Sequence, residues 1–135
     1  MNNKDCLFCK IIQNRKETFV YEDDRIVVLL SKFQTSTGHI IITTKNHCES
    51  IDEISTDDYF HLQKILKLYN KKLNAALKPE KIYIILLAEE VPHIHFQLIP
   101  RYKGNTKGPA FLTANIQEVK NPEDLIKKIN YEKIL

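Results

Sequence analysis

From His93 to Leu98 the chain alternates polar and apolar residues without a break, His-Ile-His-Phe-Gln-Leu. A period of two belongs to a strand. It puts His93, His95 and Gln97 on one side, with same-face neighbours about 7 Å apart, and turns Ile94, Phe96 and Leu98 towards a core. Any fold for this chain must therefore contain a sheet with one packed face and one face that accepts polar side chains. A neighbouring segment differs: Ile82 to Leu87 is apolar at six consecutive positions. An antiparallel strand with one wet face would alternate, so both of its faces are expected to be covered, one by a helix and the other by a loop or a second subunit.

The remaining elements follow from periodicity and punctuation. Residues 19–33, FVYEDDRIVVLLSKF, predict two strands joined by a turn at Glu22-Asp23-Asp24, and 37–45, TGHIIITTK, a third. KIYIILLA and HIHFQLIP supply the fourth and fifth. Residues 6–14 read as a short helix, with Leu7 and Ile11, and Phe8 and Ile12, at four-residue spacing. A longer helix is predicted behind Ser55-Thr-Asp-Asp58, which has the form of a capping box. It carries Leu62, Ile65, Leu66, Tyr69, Leu73, Ala76 and Leu77 and runs to about Lys78 before Pro79. Asn121-Pro122 opens a last short helix, proline being suited to the first helical position. The expectation is α+β: one antiparallel sheet of five strands with flanking helices. No repeat, low-complexity tract or Pro/Gly-rich linker marks a boundary, so residues 1–135 are expected to form a single domain.

Several function classes are made remote by composition. No apolar run approaches the length of a membrane span, and the N-terminus has no apolar signal region, so a soluble cytoplasmic protein with no membrane partner is expected. The net charge of +3 comes from scattered lysines, and near the C-terminus Lys127, Lys128 and Lys133 alternate with Glu123, Asp124 and Glu132. That pattern is a solvated face, and no nucleic-acid partner is expected. Three cysteines, Cys6, Cys9 and Cys48, are an odd number and make a poor disulfide framework. Metal or redox chemistry fits them better.

A lone strand histidine is more often a hydrogen-bonded structural residue than a catalyst, whereas two histidines and an amide in register shift the balance. Cys6 and Cys9 are close enough in sequence to point both thiols into one site, and His47 follows the third strand. A closed structural zinc takes four ligands from cysteine and histidine. Cys6, Cys9, His47 and His93 would make such a set, with Cys48 and His39 as competing candidates.

In this order and spacing, DCLFCKII, YEDDRIVVL, TGHIIITTKNH and VPHIHFQLIPR resemble the histidine triad (HIT) superfamily, from about Asp5 to Arg101. That resemblance implies an α+β fold with a five-stranded antiparallel sheet, a homodimer, and action on nucleotides. It makes His95 the residue that attacks the α-phosphorus to form a nucleotidyl-histidine intermediate, with Gln97 beside it. Nucleotide or phosphate contacts are expected at Phe8, Ser31, His39 and Arg101. Zinc, in the members that carry it, is implied at Cys6, Cys9, His47 and His93. Closed by four protein ligands, it would brace the strand and have no position open for catalysis.

Three departures from the family pattern shape the expected chemistry. Gln97 stands where relatives that hydrolyse phosphoramidates or dinucleoside polyphosphates usually carry histidine. An amide can donate a hydrogen bond but cannot deliver a proton near neutral pH, so phosphate leaving groups are expected to be favoured over amines. Its His-x-His-x-Gln pattern is similar to that of the nucleotidyltransferase branch. The stretch LLAEEV lacks the glycine-rich loop common before the triplet, and Glu89 and Glu90 would repel a phosphate unless they point outward or hold Mg²⁺. Ser31 replaces an aspartate that often holds the ribose, so sugar binding is expected to be weaker or reorganised. The expected activity is a nucleotide hydrolase or nucleotidyltransferase on nucleoside polyphosphates. A catalytically weak nucleotide-binding or regulatory protein of the same fold is the alternative.

Overall fold

In the computed structural model, which describes residues 5–15, 18–113 and 116–131, elements form where the sequence starts and stops them. Helix α1 spans Leu7–Asn14 and is capped by the Cys6 side chain, which accepts from the Cys9 N–H; it ends at Arg15 in the left-handed region. Helix α2 spans Thr56–Leu77. The Ser55 hydroxyl accepts from the Asp58 N–H, and left-handed Lys78 returns its own N–H to the Asn74 carbonyl. Only that half of the expected capping box is built, because the Asp58 carboxylate pairs with Arg25 at 3.2 Å. Helix α3 spans Pro122–Tyr131. None of the helices among the described residues is long and apolar enough to cross a membrane.

The strands are β1 (Phe19–Glu22), β2 (Ile26–Leu30), β3 (Phe33–Gln34), β4 (Ile40–Thr44), β5 (Lys81–Leu86), β6 (His95–Arg101) and β7 (Gln117–Glu118). Five of them form one antiparallel sheet in the order β1-β2-β4-β6-β5, while β3 and β7 pair separately. Ahead of β4, Gly38 holds φ +94°, where a Cβ would also collide with Leu77 at the end of α2.

Strand alternation divides the core in two. Ile26, Val28 and Leu30, Ile40 and Ile42, and Phe96 and Leu98 face α2, where Leu62, Ile65, Leu66, Tyr69 and Leu73 meet them, joined by Ile129 of α3. On the other face Val27, Leu29 and Ile41 pack against Phe8, Cys9 and Ile11 of α1. Helix α1 is short and covers only part of that face.

Three expectations are corrected. The fifth strand begins at His95, two residues late, because the Ile94 N–H bonds the Cys48 carbonyl at 2.6 Å and the His93 N–H bonds Val91 at 2.8 Å, which takes this backbone out of the ladder. The fourth strand ends at Leu86, followed two residues later by Ala88 at φ 51°. Its apolar run lies on the sheet edge: Ile82 and Leu86 pack against the main core and Tyr83 meets the Phe111 ring, while Ile84 is 49% and Leu87 72% exposed. The small β3/β7 sheet was not foreseen. Its two-residue strands carry no usable periodicity.

Candidate functional site

Because β6 sits between β4 and β5, the residues on its α1 side lie over the half of that face which α1 leaves open. His95 is paired with Thr43, and Gln97 with Ile41 and Ile85. The His95 ring is 8% exposed and lies 4.6 Å from the Phe8 ring, so the first turn of α1 walls one side of it. His95 Nδ1 is 2.8 Å from the carbonyl oxygen of His93. A carbonyl only accepts, so Nδ1 carries the proton and Nε2 keeps its lone pair. Burial pushes the imidazole pKa down, partly offset by that hydrogen bond, which favours the neutral ring. A neutral imidazole with an oriented N–H behind and a lone pair in front can act as a nucleophile or a base.

Two residues on, the Gln97 Oε1 is 2.9 Å from Nε2 of His39, a buried histidine just before β4. Burial lowers the pKa of His39 as well. Ser31 lies just past the end of β2, with its N–H on the His39 carbonyl at 3.0 Å and its hydroxyl donating to Phe33 at 2.9 Å. Phe8, His39, His95 and Gln97 are thus brought together, with Ser31 tied to the His39 backbone. Arg101 does not join them. It lies six residues beyond His95 on the same strand, roughly 20 Å along it, and its buried guanidinium donates to Glu80 at 2.8 Å.

Beneath His95 the two cysteines and two histidines converge. Ligand atoms of Cys6, Cys9, His47 and His93 all lie within 4.8 Å of one another. Cys6 Sγ is 3.2 Å from His93 Nδ1, and Cys9 Sγ is 3.5 Å from both His93 Nδ1 and His47 Nδ1. A tetrahedral zinc with sulfur at about 2.3 Å and nitrogen at about 2.0 Å puts such atoms roughly 3.5 Å apart, so the set fits that ion. The imidazoles are also prepared for it. His93 Nε2 is 2.8 Å from the Thr44 carbonyl, which fixes its proton there and leaves Nδ1 as the donor atom. His47 Nε2 is 3.4 Å from a Glu49 carboxylate oxygen. Burial holds His93 down to about pKa 4, so it stays unprotonated at neutral pH. The competing candidates are engaged elsewhere: Cys48 packs against the main core and His39 is bonded to Gln97.

Glu89 and Glu90 lie exposed in the turn after Ala88, and no carboxylate belongs to a metal-binding group among the described residues. No observation among the described residues supports the expected Mg²⁺. Sequence reading allowed a backbone carbonyl or His39 as the partner of the His95 proton without saying which; it missed the Thr44 carbonyl and the Glu49 side chain, which with the His93 carbonyl orient the three imidazoles. A backbone carbonyl has no sequence signature; Glu49, two residues after His47, was legible only once His47 was in place.

Known proteins share the sequence pattern and the fold of this chain. The HIT domain family profile matches residues 13–104. A HIT-like protein of Borreliella burgdorferi is 36% identical over 115 residues, covering 77% of this chain and 81% of its own. The crystal structure of a histidine triad nucleotide-binding protein of Sulfolobus tokodaii superposes with a TM-score of 0.77 at 28% identity, over 93% of this chain and 90% of that one. A zinc-bound histidine triad family protein of Mycobacterium smegmatis has the same fold, with a TM-score of 0.77 at 16% identity, over 94% of this chain and 91% of that one. More distant matches are an adenosine 5′-monophosphoramidase of Schizosaccharomyces pombe, 24% identical over 71% of this chain and 74% of its own, and an adenylylsulfatase of Arabidopsis thaliana, 25% identical over 72% and 52%.

Proposed function

This chain belongs to the HIT domain family, and on that premise we propose that it transfers or hydrolyses nucleotidyl groups from nucleoside polyphosphates through His95. The observation that carries the reading is the His95 ring, its Nδ1 proton held by the His93 carbonyl and its Nε2 lone pair left for substrate. In the first step Nε2 bonds the α-phosphorus as the P–O bond to the leaving phosphate breaks, and that oxygen departs with the electron pair. In the second, water or another acceptor bonds phosphorus, the P–N bond breaks, and Nε2 recovers its lone pair while the acceptor's proton passes to solvent.

Gln97, two residues along the same face, is the hydrogen-bond partner for a phosphate oxygen, and Phe8 and Ser31 border the nucleoside. Arg101 is read as a brace for Glu80 and not as a phosphate contact, given its distance along β6. Distant relatives bearing the names of an adenosine 5′-monophosphoramidase and an adenylylsulfatase support a nucleotide substrate. An amide in place of a proton donor favours leaving groups that depart unprotonated, as phosphates do.

Cys6, Cys9, His47 and His93 are proposed to hold a structural zinc. It would tie α1, the turn after β4 and the start of β6 into one unit and so place the His93 carbonyl that orients His95. A homodimer through the exposed β5 edge belongs to the same reading. Unpaired strand edges with apolar side chains such as Ile84 and Leu87 demand cover, and a stable interface needs about 800 Å² from each partner. Sedimentation at micromolar concentration should give a dimer, and a lone monomer would discard that part.

The test of function is incubation with dinucleoside polyphosphates, with and without inorganic phosphate, followed by intact-mass and product analysis. A nucleotidyl adduct on the natural protein and none on His95→Ala is the expected result. Turnover that persists in His95→Ala would overturn the assignment. Nucleotide binding without an adduct would make the chain a binding protein instead.

A further inference from the structure

Gln97 carries one acceptor and two donors on a side chain that could present either end to substrate, and the two ends ask for opposite chemistry. Which end faces the cleft is decided by His39. The Thr35 N–H points at His39 Nδ1 at 3.4 Å. A backbone N–H only donates, so Nδ1 must be the accepting nitrogen and the ring proton must sit on Nε2. That nitrogen is the one 2.9 Å from Gln97, so the atom of Gln97 that meets it has to be the carbonyl oxygen. The chain of donors and acceptors therefore runs one way, from Thr35 through His39 to Gln97. It leaves the Gln97 NH₂ as the end available to a ligand, and Gln97 is itself only half-buried.

We infer that His39 is a positioning residue: it locks the Gln97 amide so that the site offers N–H donors to the leaving group and selects leaving groups that present only acceptors. The inference rests on the proposed action of His95 and deepens it. A phosphate, or another fully ionised oxyacid, meets two N–H groups with lone pairs. An amine or amide leaving group brings its own N–H against them, and the amide cannot turn to accept it without breaking the bond to His39. Selectivity against nitrogen leaving groups then has two layers, the missing proton donor and the locked amide, and only the second depends on His39. Burial keeps His39 neutral, which the lock requires, because a proton on Nδ1 would face the Thr35 N–H.

Two measurements test it. Long-range proton–nitrogen correlation NMR on histidine-labelled protein at neutral pH, with no nucleotide present, reads the tautomer directly. A proton on His39 Nε2 is expected, and one on Nδ1 would overturn the lock whatever the enzyme does. The second is the ratio of kcat/KM for a nucleoside polyphosphate over the matching phosphoramidate in the natural protein, His39→Leu and His39→Gln. Loss of one correctly aimed hydrogen bond is worth about tenfold, so His39→Leu should lower the ratio by about that factor. His39→Gln, whose amide nitrogen can reach the Nε2 position, should restore most of it. If both substrates slow together in His39→Leu and the ratio is unchanged, His39 is merely structural and the inference falls. Failure of His95 to form an adduct would defeat the functional reading separately, and the tautomer would still decide whether the lock exists.

Discussion

On the face of the sheet that meets α2, β2, β4 and β6 contribute aliphatic or aromatic side chains, and Ile26, Ile40, Ile42, Leu62, Leu73, Leu98 and Ile129 are fully buried. On the opposite face an eight-residue helix covers a smaller apolar patch, and its edge is held by Cys6, Cys9, His47 and His93. The first face is closed by area and packing, which no single group controls. The second adds to a smaller area of packing a few directional contacts, each tied to a carbonyl, an N–H or a thiol at a set distance. Directional closure leaves a place beside α1 for a polar ring such as His95, which a face closed by aliphatic packing could not provide.

The comparison breaks most decisively at the proposed metal site. A structural zinc binds with roughly 10–16 kcal/mol in small zinc peptides. Here the packed face supports the chain, so chelation or Cys9→Ala should remove only the part that fastens α1, about 5 kcal/mol. The readouts are a Tm about 15–20 °C lower and loss of amide protection in residues 7–14 while α2 stays protected. Natural protein isolated without chelator should contain about one zinc per chain. Metal-free protein with an unchanged melt would show that both faces are closed by packing alone.

A smaller effect comes from the packed face. Leu73→Ala removes a fully buried side chain from under β4 and β6 and should cost about 2–5 kcal/mol through lost transfer energy and the cavity left behind. Its metal content should be unchanged, and a variant that loses zinc in proportion to stability would show that the two closures are not separable.

The smallest effect tests the seam between the hairpin turn and α2. Burial by itself would raise the Asp23 pKa, but the N–H groups of Arg25 and Ile26, the His61 ring and the Tyr21 hydroxyl outweigh it and hold the carboxyl below its ordinary value. A folded-state pKa below the unfolded one contributes stability above the unfolded value, near pH 4, that is lost as pH falls through the folded one. Asp23→Asn keeps one acceptor but turns an NH₂ towards the donors Tyr21 and His61, and should cost about 1–2 kcal/mol at pH 7. That difference should shrink below about pH 4, as read from denaturant midpoints of the two proteins. A gap that is constant with pH would mean that the charge of Asp23 is irrelevant to the seam.

Much of this was legible before any coordinates. Periodicity of two located β6, short apolar runs bounded by turns located the other strands of the main sheet, periodicity of 3.6 and the Ser55 cap located α2, and the order of the four motifs identified the family. These signals are local, and local signals survive in sequence because they act through spacing along the chain. The start of β6 slipped for a non-local reason: His93 left the strand because Ile94 found the Cys48 carbonyl, a partner from a distant loop. Arg101 looked available for phosphate because its type suits one, and only the fold set it beside Glu80.

What the sequence determined by itself is therefore the inventory: the five strands of the main sheet and the helices, the α+β class, the residues able to ligate a metal, and the presence of an amide where a third histidine is usual. What only the tertiary structure decided is direction. The protons of His93 and His95 sit where the carbonyls of Thr44 and His93 accept them, and Gln97 turns its oxygen to His39 because Thr35 has already claimed the other side of that ring. A residue's identity sets which bonds it can form, but the sign of each hydrogen bond depends on the group opposite. In this chain the group opposite is a backbone atom or a side chain brought near only by folding.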